Sequence, residues 1–130
     1  MLNRSLPVAL LCAFILSAVG CGGGTGILNM QTPYTTATKD ASLDNVARTI
    51  ITASAYKGWK PEIAGPGHIT ATRRHAGRAA KVDISYTSNS FNIQYLDSDN
   101  MQYTGTSISP VYEQWVEELQ DEIKRRLSAL

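Results

Sequence analysis

AKVDISYTSNSFNIQYL, residues 80–96, decides the fold, because apolar and polar side chains alternate through it twice with a polar loop between the two runs. Ala80, Val82, Ile84 and Tyr86 alternate with Lys81, Asp83, Ser85 and Thr87, and Phe91, Ile93 and Tyr95 alternate with Asn92, Gln94 and Leu96. A period of two sends successive side chains to opposite faces, so each run reads as a strand with one dry and one wet side. With Thr87 to Ser90 as the loop, Tyr86 falls opposite Phe91, Ile84 opposite Ile93 and Val82 opposite Tyr95. Apolar meets apolar at every rung, the pairing that stabilises a half-buried antiparallel sheet.

Moving upstream, Ile69 and Ala71 alternate with Thr70 and Thr72, and a hairpin turn at Ala76-Gly77 sets Val82 opposite Ala71 and Ile84 opposite Ile69. Both hairpins therefore bury the same residues of the middle strand. Trp59 to Ala64 supplies a further strand whose Pro61 has no amide proton to donate, which places it on an edge, and Gly65-Pro66-Gly67 turns the chain. The expected sheet is a four-stranded antiparallel meander. Downstream, Asp97-Ser98-Asp99-Asn100 reads as a turn, and Met101 to Tyr103 has room for a short fifth strand.

Two helices flank these strands. Over Ser42 to Lys57, Leu43, Val46, Ala47, Ile50, Ile51 and Ser54 or Ala55 recur at spacings of three and four; Ser42 can cap, Asp44 suits the positive end, and Gly58 ends the run. Ser109-Pro110 opens the second, with Tyr112, Trp115, Val116, Leu119, Ile123 and Leu127 as its apolar stripe. Glu113, Glu117 and Glu118 lie early and Lys124, Arg125 and Arg126 late, complementing the helix dipole, with Asp121 in reach of Arg125. Packed on the dry face, the two helices make a two-layer α+β domain.

The amino-terminal end has a different character. Met1 to Ser5 is polar and carries Arg4, Leu6 to Val19 is almost wholly apolar, and Gly20-Cys21 closes the run before a glycine tract. That is the layout of a secretory signal with its small-residue cut site, and the apolar run is shorter than the ~20 residues that span a bilayer. Ser17-Ala18-Val19-Gly20-Cys21 resembles the lipobox of bacterial lipoproteins, with Ala18 where leucine is commonest. The resemblance implies cleavage before Cys21, acylation of its thiol and attachment to a bilayer facing the periplasm. Gly22 stands where an aspartate in such lipoproteins favours the inner membrane, which points to the outer one. Asn92-Ile93-Gln94-Tyr95-Leu96-Asp97-Ser98 and Tyr112-Glu113-Gln114-Trp115, in this order of elements, also look like small proteobacterial lipoproteins, a likeness that implies fold and location but brings no activity. The expected organisation is a signal at 1–20, an anchor and flexible tether at 21–40, rich in Gly and Thr, and one domain at 41–130.

Cleavage would leave 110 of the 130 residues, enough for one domain with a modest core. Losing Arg4 takes the basic count from 12 to 11 against 11 acids, a balance that gives no reason to expect nucleic acid as a partner. Cys12 lies in the signal and Cys21 at the anchor, so the mature domain has no thiol pair for a disulfide.

Candidate chemistry is sparse. Arg73, Arg74, His75, Arg78 and Lys81 gather at one hairpin, and Arg74 and Lys81 share the wet side with Asp83, Asn92 and Gln94. Arg73, Arg74, Arg78, Lys81, Asp83, Asn92 and Gln94 are the candidate binding residues, suited to phosphate headgroups, peptidoglycan carboxylates or an acidic protein surface. His68 and His75, at an odd spacing, point to opposite faces of one strand and cannot jointly hold a metal without a bend. Asp97-Ser98-Asp99 opens like a calcium loop, but Met101 and Gln102 stand where a ligand and a glycine are needed. No Gly-x-Ser-x-Gly elbow occurs and no cofactor is implied. The expectation is a non-catalytic envelope module that binds a protein or peptidoglycan partner. The alternative is a small-ligand or inhibitor-type protein with a pocket formed by Tyr86, Phe91, Tyr95, Tyr103, Tyr112 and Trp115 between helix and sheet.

Overall fold

The computed structural model of the chain describes residues 30–33 and 41–130; the proposed signal, Cys21 and the rest of the stretch from 22 to 40 lie outside the described residues. The elements run β1 (Met30–Pro33), α1 (Leu43–Tyr56), β2 (Lys60–Gly65), β3 (His68–His75), β4 (Arg78–Tyr86), β5 (Ser90–Asp99) and α2 (Pro110–Leu127). They form one antiparallel sheet in the order β1-β5-β4-β3-β2, so the expected meander is present as β2 to β5.

Every rung deduced from the alternation is found. Ile69 pairs with Ile84 and Ala71 with Val82 across β3 and β4; Val82 pairs with Tyr95, Ile84 with Ile93 and Tyr86 with Phe91 across β4 and β5. The register is fixed because a slip of one residue would carry Ile69, Val82, Ile84, Phe91 and Ile93, all at most 1% exposed, out to water. Pro61 lies in β2, which is an edge strand as expected.

Three expectations about the ends of the sheet need correcting. The fifth strand is β1, paired with β5 from Met30↔Ile93 to Pro33↔Ser90, and so four residues of the expected tether belong to the sheet. Met101 to Tyr103 is not a strand: Asn100 and Gln102 adopt left-handed backbone at φ 54° and 55°, which breaks an extended run, and Met101 turns inward to 1% exposure. Asp97 to Asp99 is likewise not a turn. The β4–β5 pairing shifts register between Lys81 and Val82, Leu96 being the extra residue, and β5 continues with Asp97 opposite Lys81 and Asp99 opposite Ala79.

The helices begin and end where their chemistry places them. Ser42 Oγ accepts from the Asn45 amide at 3.2 Å. At the other end of α1, the Trp59 amide donates to Ser54 O at 2.9 Å and the Gly58 amide to Ala55 O at 3.1 Å, a Schellman closure that requires the φ of +84° that Gly58 supplies. This closure aims Trp59 inward, where its ring meets Trp115 edge-on at 6.4 Å. Ser109 Oγ accepts from the Val111 amide at 3.3 Å, with Pro110 in the first turn of α2.

All six residues of the expected α2 stripe are buried, together with Val46, Ile50 and Ala53 of α1, and Leu43 lies exposed at the end. Ser54, fully buried, donates its hydroxyl to Ile50 O at 2.7 Å, so its own donor is satisfied within the helix. The expected Asp121–Arg125 pair is replaced by Glu122, which binds both Arg125 and Arg126. Among the described residues, no helix is long and apolar enough to cross a membrane.

Candidate functional site

Both helices cover one side of the sheet, no other described element covers the opposite side, and the composition of that side follows from the register. Four polar rows cross it. The first reads His68, Ser85, Asn92; the second Glu62, Thr70, Asp83, Gln94; the third Lys60, Thr72, Lys81, Asp97; and the fourth Arg74, Ala79, Asp99. Ala79 is the single apolar side chain among them. The face mixes Lys60, Arg74 and Lys81 with Glu62, Asp83, Asp97 and Asp99, so it presents alternating charge rather than one sign.

Within the first two rows a pair forms on the diagonal. His68 Nδ1 lies 3.2 Å from Asp83 Oδ2 and 3.4 Å from Oδ1. Asp83 is well covered while His68 is half exposed, so the carboxylate orients the ring, and the other ring nitrogen, Nε2, has no partner among the described residues. The neighbouring concavity is bounded by Gly67, His68, Ser85, Ser90 and Asn92. Gly67 shapes it: φ is +74°, the Tyr86 amide donates to Gly67 O at 2.9 Å, and a side-chain carbon at Gly67 would stand 3.2 Å from Tyr86 O. Asn92 Oδ1 is buried there without a hydrogen-bond partner among the described residues.

At the other end lies a groove lined by Thr72, Arg74, Lys81, Asp97, Ser98 and Asp99. Neither Arg74 nor Lys81 makes an ion pair among the described residues, and both are exposed. The hairpin tip is a two-residue turn with positive φ at Ala76 and Gly77, flanked by the pair His75↔Arg78. Asp97 and Asp99 reach this region only because β5 runs on through its bulge, and they offset a hairpin end that the sequence presents as purely basic.

The structure divides the seven candidate binding residues. Arg74, Lys81, Asp83, Asn92 and Gln94 share the open face, and Arg78 sits half-buried at the hairpin end. Arg73 belongs elsewhere. By the alternation it lies with Ile69 and Ala71 on the helix side, where its guanidinium stacks over Trp115 at 4.6 Å and reaches Glu118 Oε2 at 3.5 Å. It clamps β3 to α2 and is withdrawn from the binding surface. His68 and His75 stand at the two ends of β3, seven residues apart and so roughly 23 Å along the strand. Among the described residues, no three His, Cys, Asp or Glu side chains gather to hold a metal.

The His68–Asp83 pair was not singled out from the sequence, although the signal was present. Ile69 opposite Ile84 sets His68 opposite Ser85, which leaves Asp83 one diagonal step away on the same face. The aromatic residues of the alternative pocket are mostly spent on packing. Tyr112, Phe91 and Trp115 are buried, and Tyr95 stacks on Tyr103 at 4.5 Å and meets Tyr112 edge-on at 5.6 Å. Burial pushes the Tyr112 phenol well above its ordinary pKa, reinforced by Tyr95.

Comparison with protein-family models gives no match, and comparison with curated proteins finds no significantly similar sequence.

Proposed function

We infer that this chain is a lipid-anchored binding module of the bacterial envelope, acylated at Cys21, facing the periplasm from the outer membrane, and non-catalytic. The observation that carries the binding part is the face crossed by four polar rows, on the side of the sheet away from both helices. Among the described residues nothing packs on this sheet face, so it contributes little to stability and its charged residues are available to a partner. Its mixed charge suits an envelope protein or peptidoglycan, whose own surface carries both amines and carboxylates. The aromatic-pocket alternative is weaker because Phe91, Tyr112 and Trp115 already fill the space between helices and sheet.

The anchor part rests on the lipobox resemblance, and β1 sharpens its consequence. From Cys21 to Met30 there are nine residue steps, at most about 30 Å when fully extended. The body would therefore ride close to the lipid surface. A single acyl chain gives only marginal attachment whereas several give a durable one, since each buried CH₂ contributes about 0.8 kcal/mol. Mass spectrometry of the mature amino terminus tests this directly, the expected species being a chain that begins at an acylated Cys21. A bare thiol, or a start at another residue, contradicts it. Cys21→Ser is expected to move the protein from the membrane to the soluble fraction.

A further inference from the structure

The outer surface of the helix layer carries a charged feature unrelated to the sheet face. An open groove of about 370 Å³ runs between α1 and α2, lined by Arg48, Thr49, Thr52, Arg125, Arg126 and Ala129. Beside it sits Glu122, only 7% exposed, accepting from Arg125 Nη2 at 2.7 Å, Arg125 Nε at 3.3 Å and Arg126 Nε at 2.6 Å. One carboxylate thus holds two guanidiniums side by side. The Arg126 guanidinium is further steadied over the Tyr56 ring at 5.0 Å.

These bonds leave both Nη groups of Arg126 and Nη1 of Arg125 unspent among the described residues. From α1, the exposed Arg48 joins them with no side-chain partner of its own among the described residues. Among the lining residues and Glu122, three guanidiniums stand against one carboxylate, a local excess of positive charge that favours an anion in the concavity. The threonine hydroxyls are not competing donors: Thr49 Oγ1 donates to Asn45 O at 2.7 Å and Thr52 Oγ1 to Arg48 O at 2.9 Å.

We propose that this groove is a binding site for a phosphate group. A carboxylate offers two oxygens and one charge, fewer than the free donors and the excess positive charge around the groove. A phosphate monoester brings three oxygens and a charge of about −1.5 to −2, matching forked donors converging from two helices and the excess charge they carry. Glu122 is the positioning residue, since it sets the spacing of Arg125 and Arg126 before the ligand arrives. The site stands whether or not Cys21 is acylated.

The test uses the chain from residue 21 onward with Cys21→Ser, which contains every described residue and cannot be acylated. Inorganic phosphate is titrated against chloride at matched ionic strength, following the arginine Nε–Hε signals by NMR. Saturable shifts of the Arg48, Arg125 and Arg126 signals with phosphate alone are expected. Arg48→Ala should weaken binding roughly tenfold, as losing one charge-assisted contact does, without moving the melting temperature. A second arm adds vesicles of phosphatidylcholine with and without phosphatidic acid. Co-sedimentation that requires phosphatidic acid and Arg48 assigns the group to a lipid headgroup, whereas phosphate binding without it assigns a soluble phosphate ester. Signals unmoved by phosphate, shifts equal in chloride, or an Arg48→Ala variant that binds as well as the parent would overturn the site.

Discussion

Ile69, Ile84 and Ile93 sit one residue along from Thr70, Asp83 and Gln94 on the same three strands, yet the two rows share nothing but backbone. The isoleucines are fully buried under the helices, and the polar row faces solvent. One face is committed to holding the fold and the other is exempt from that task. Arg73 and Arg74 repeat the lesson within a single dipeptide: Arg73 stacks on Trp115 and binds Glu118, while Arg74 is exposed and unpaired among the described residues. Residue type alone does not tell a structural arginine from a free one; the parity of its position does.

This contrast is easiest to break from the dry side. Trp115→Ala removes a ring that touches Trp59 and carries Arg73, and it is expected to cost about 3–5 kcal/mol in urea unfolding, the usual range for a large core aromatic. A loss below about 1 kcal/mol would mean that the helices do not depend on this face.

The next effect comes from the one buried carboxylate on α2. Hydrogen bonds from Arg125, then Arg126, hold Glu122 down to about 2 from its ordinary 4.5. A folded-state pKa below the unfolded one contributes stability that is fully present above about 4.5 and lost as pH falls through about 2. Thermal melts should therefore show Glu122→Gln to be less stable than the parent near neutral pH, by roughly 5 °C. The gap should close between about pH 4.5 and pH 2. A gap that stays constant through that window would show that the carboxylate's charge is not what stabilises α2.

Arg73→Ala and Arg74→Ala sharpen the comparison at the smallest scale. Arg73 should cost about 1 kcal/mol through its lost stacking and packing on Trp115. Arg74→Ala, and the charge reversals Arg74→Glu and Lys81→Glu, should fall within about 0.5 kcal/mol of the parent in the same denaturation experiment. Equal costs for Arg73 and Arg74 would erase the distinction between the faces.

Much of this was legible in the sequence because the residues that carry it obey a short period. The alternation at Ile84 and Ile93 set the register, Ser42 and Ser109 marked the helix starts, and Pro61 marked an edge strand. Three features escaped for physical reasons. Met30–Pro33 is a strand because β5 offers it an unpaired edge, and a four-residue run ending in proline carries too little local pattern to announce this. Asp97 and Asp99 have turn-like chemistry, which the β5 pairing overrides once the bulge at Leu96 has restored the register. Glu122 and Asp121 both lie within helical reach of Arg125, and only the packing of α2 decides which is drawn inward. Arg73 was readable, since its parity with Ile69 and Ala71 follows from the same alternation. Its grouping with the hairpin arginines reflected nearness in sequence rather than face.

The most direct measurement places a photo-crosslinking amino acid at Lys81, on the open face, and separately at Glu117, exposed on α2, in living bacterial cells. A discrete crosslinked envelope species is expected from Lys81, lost when Arg74→Glu is added although the protein still folds, and none from Glu117. The same species from Glu117, or a Lys81 crosslink indifferent to Arg74→Glu, would contradict a partner bound at the polar face of the sheet.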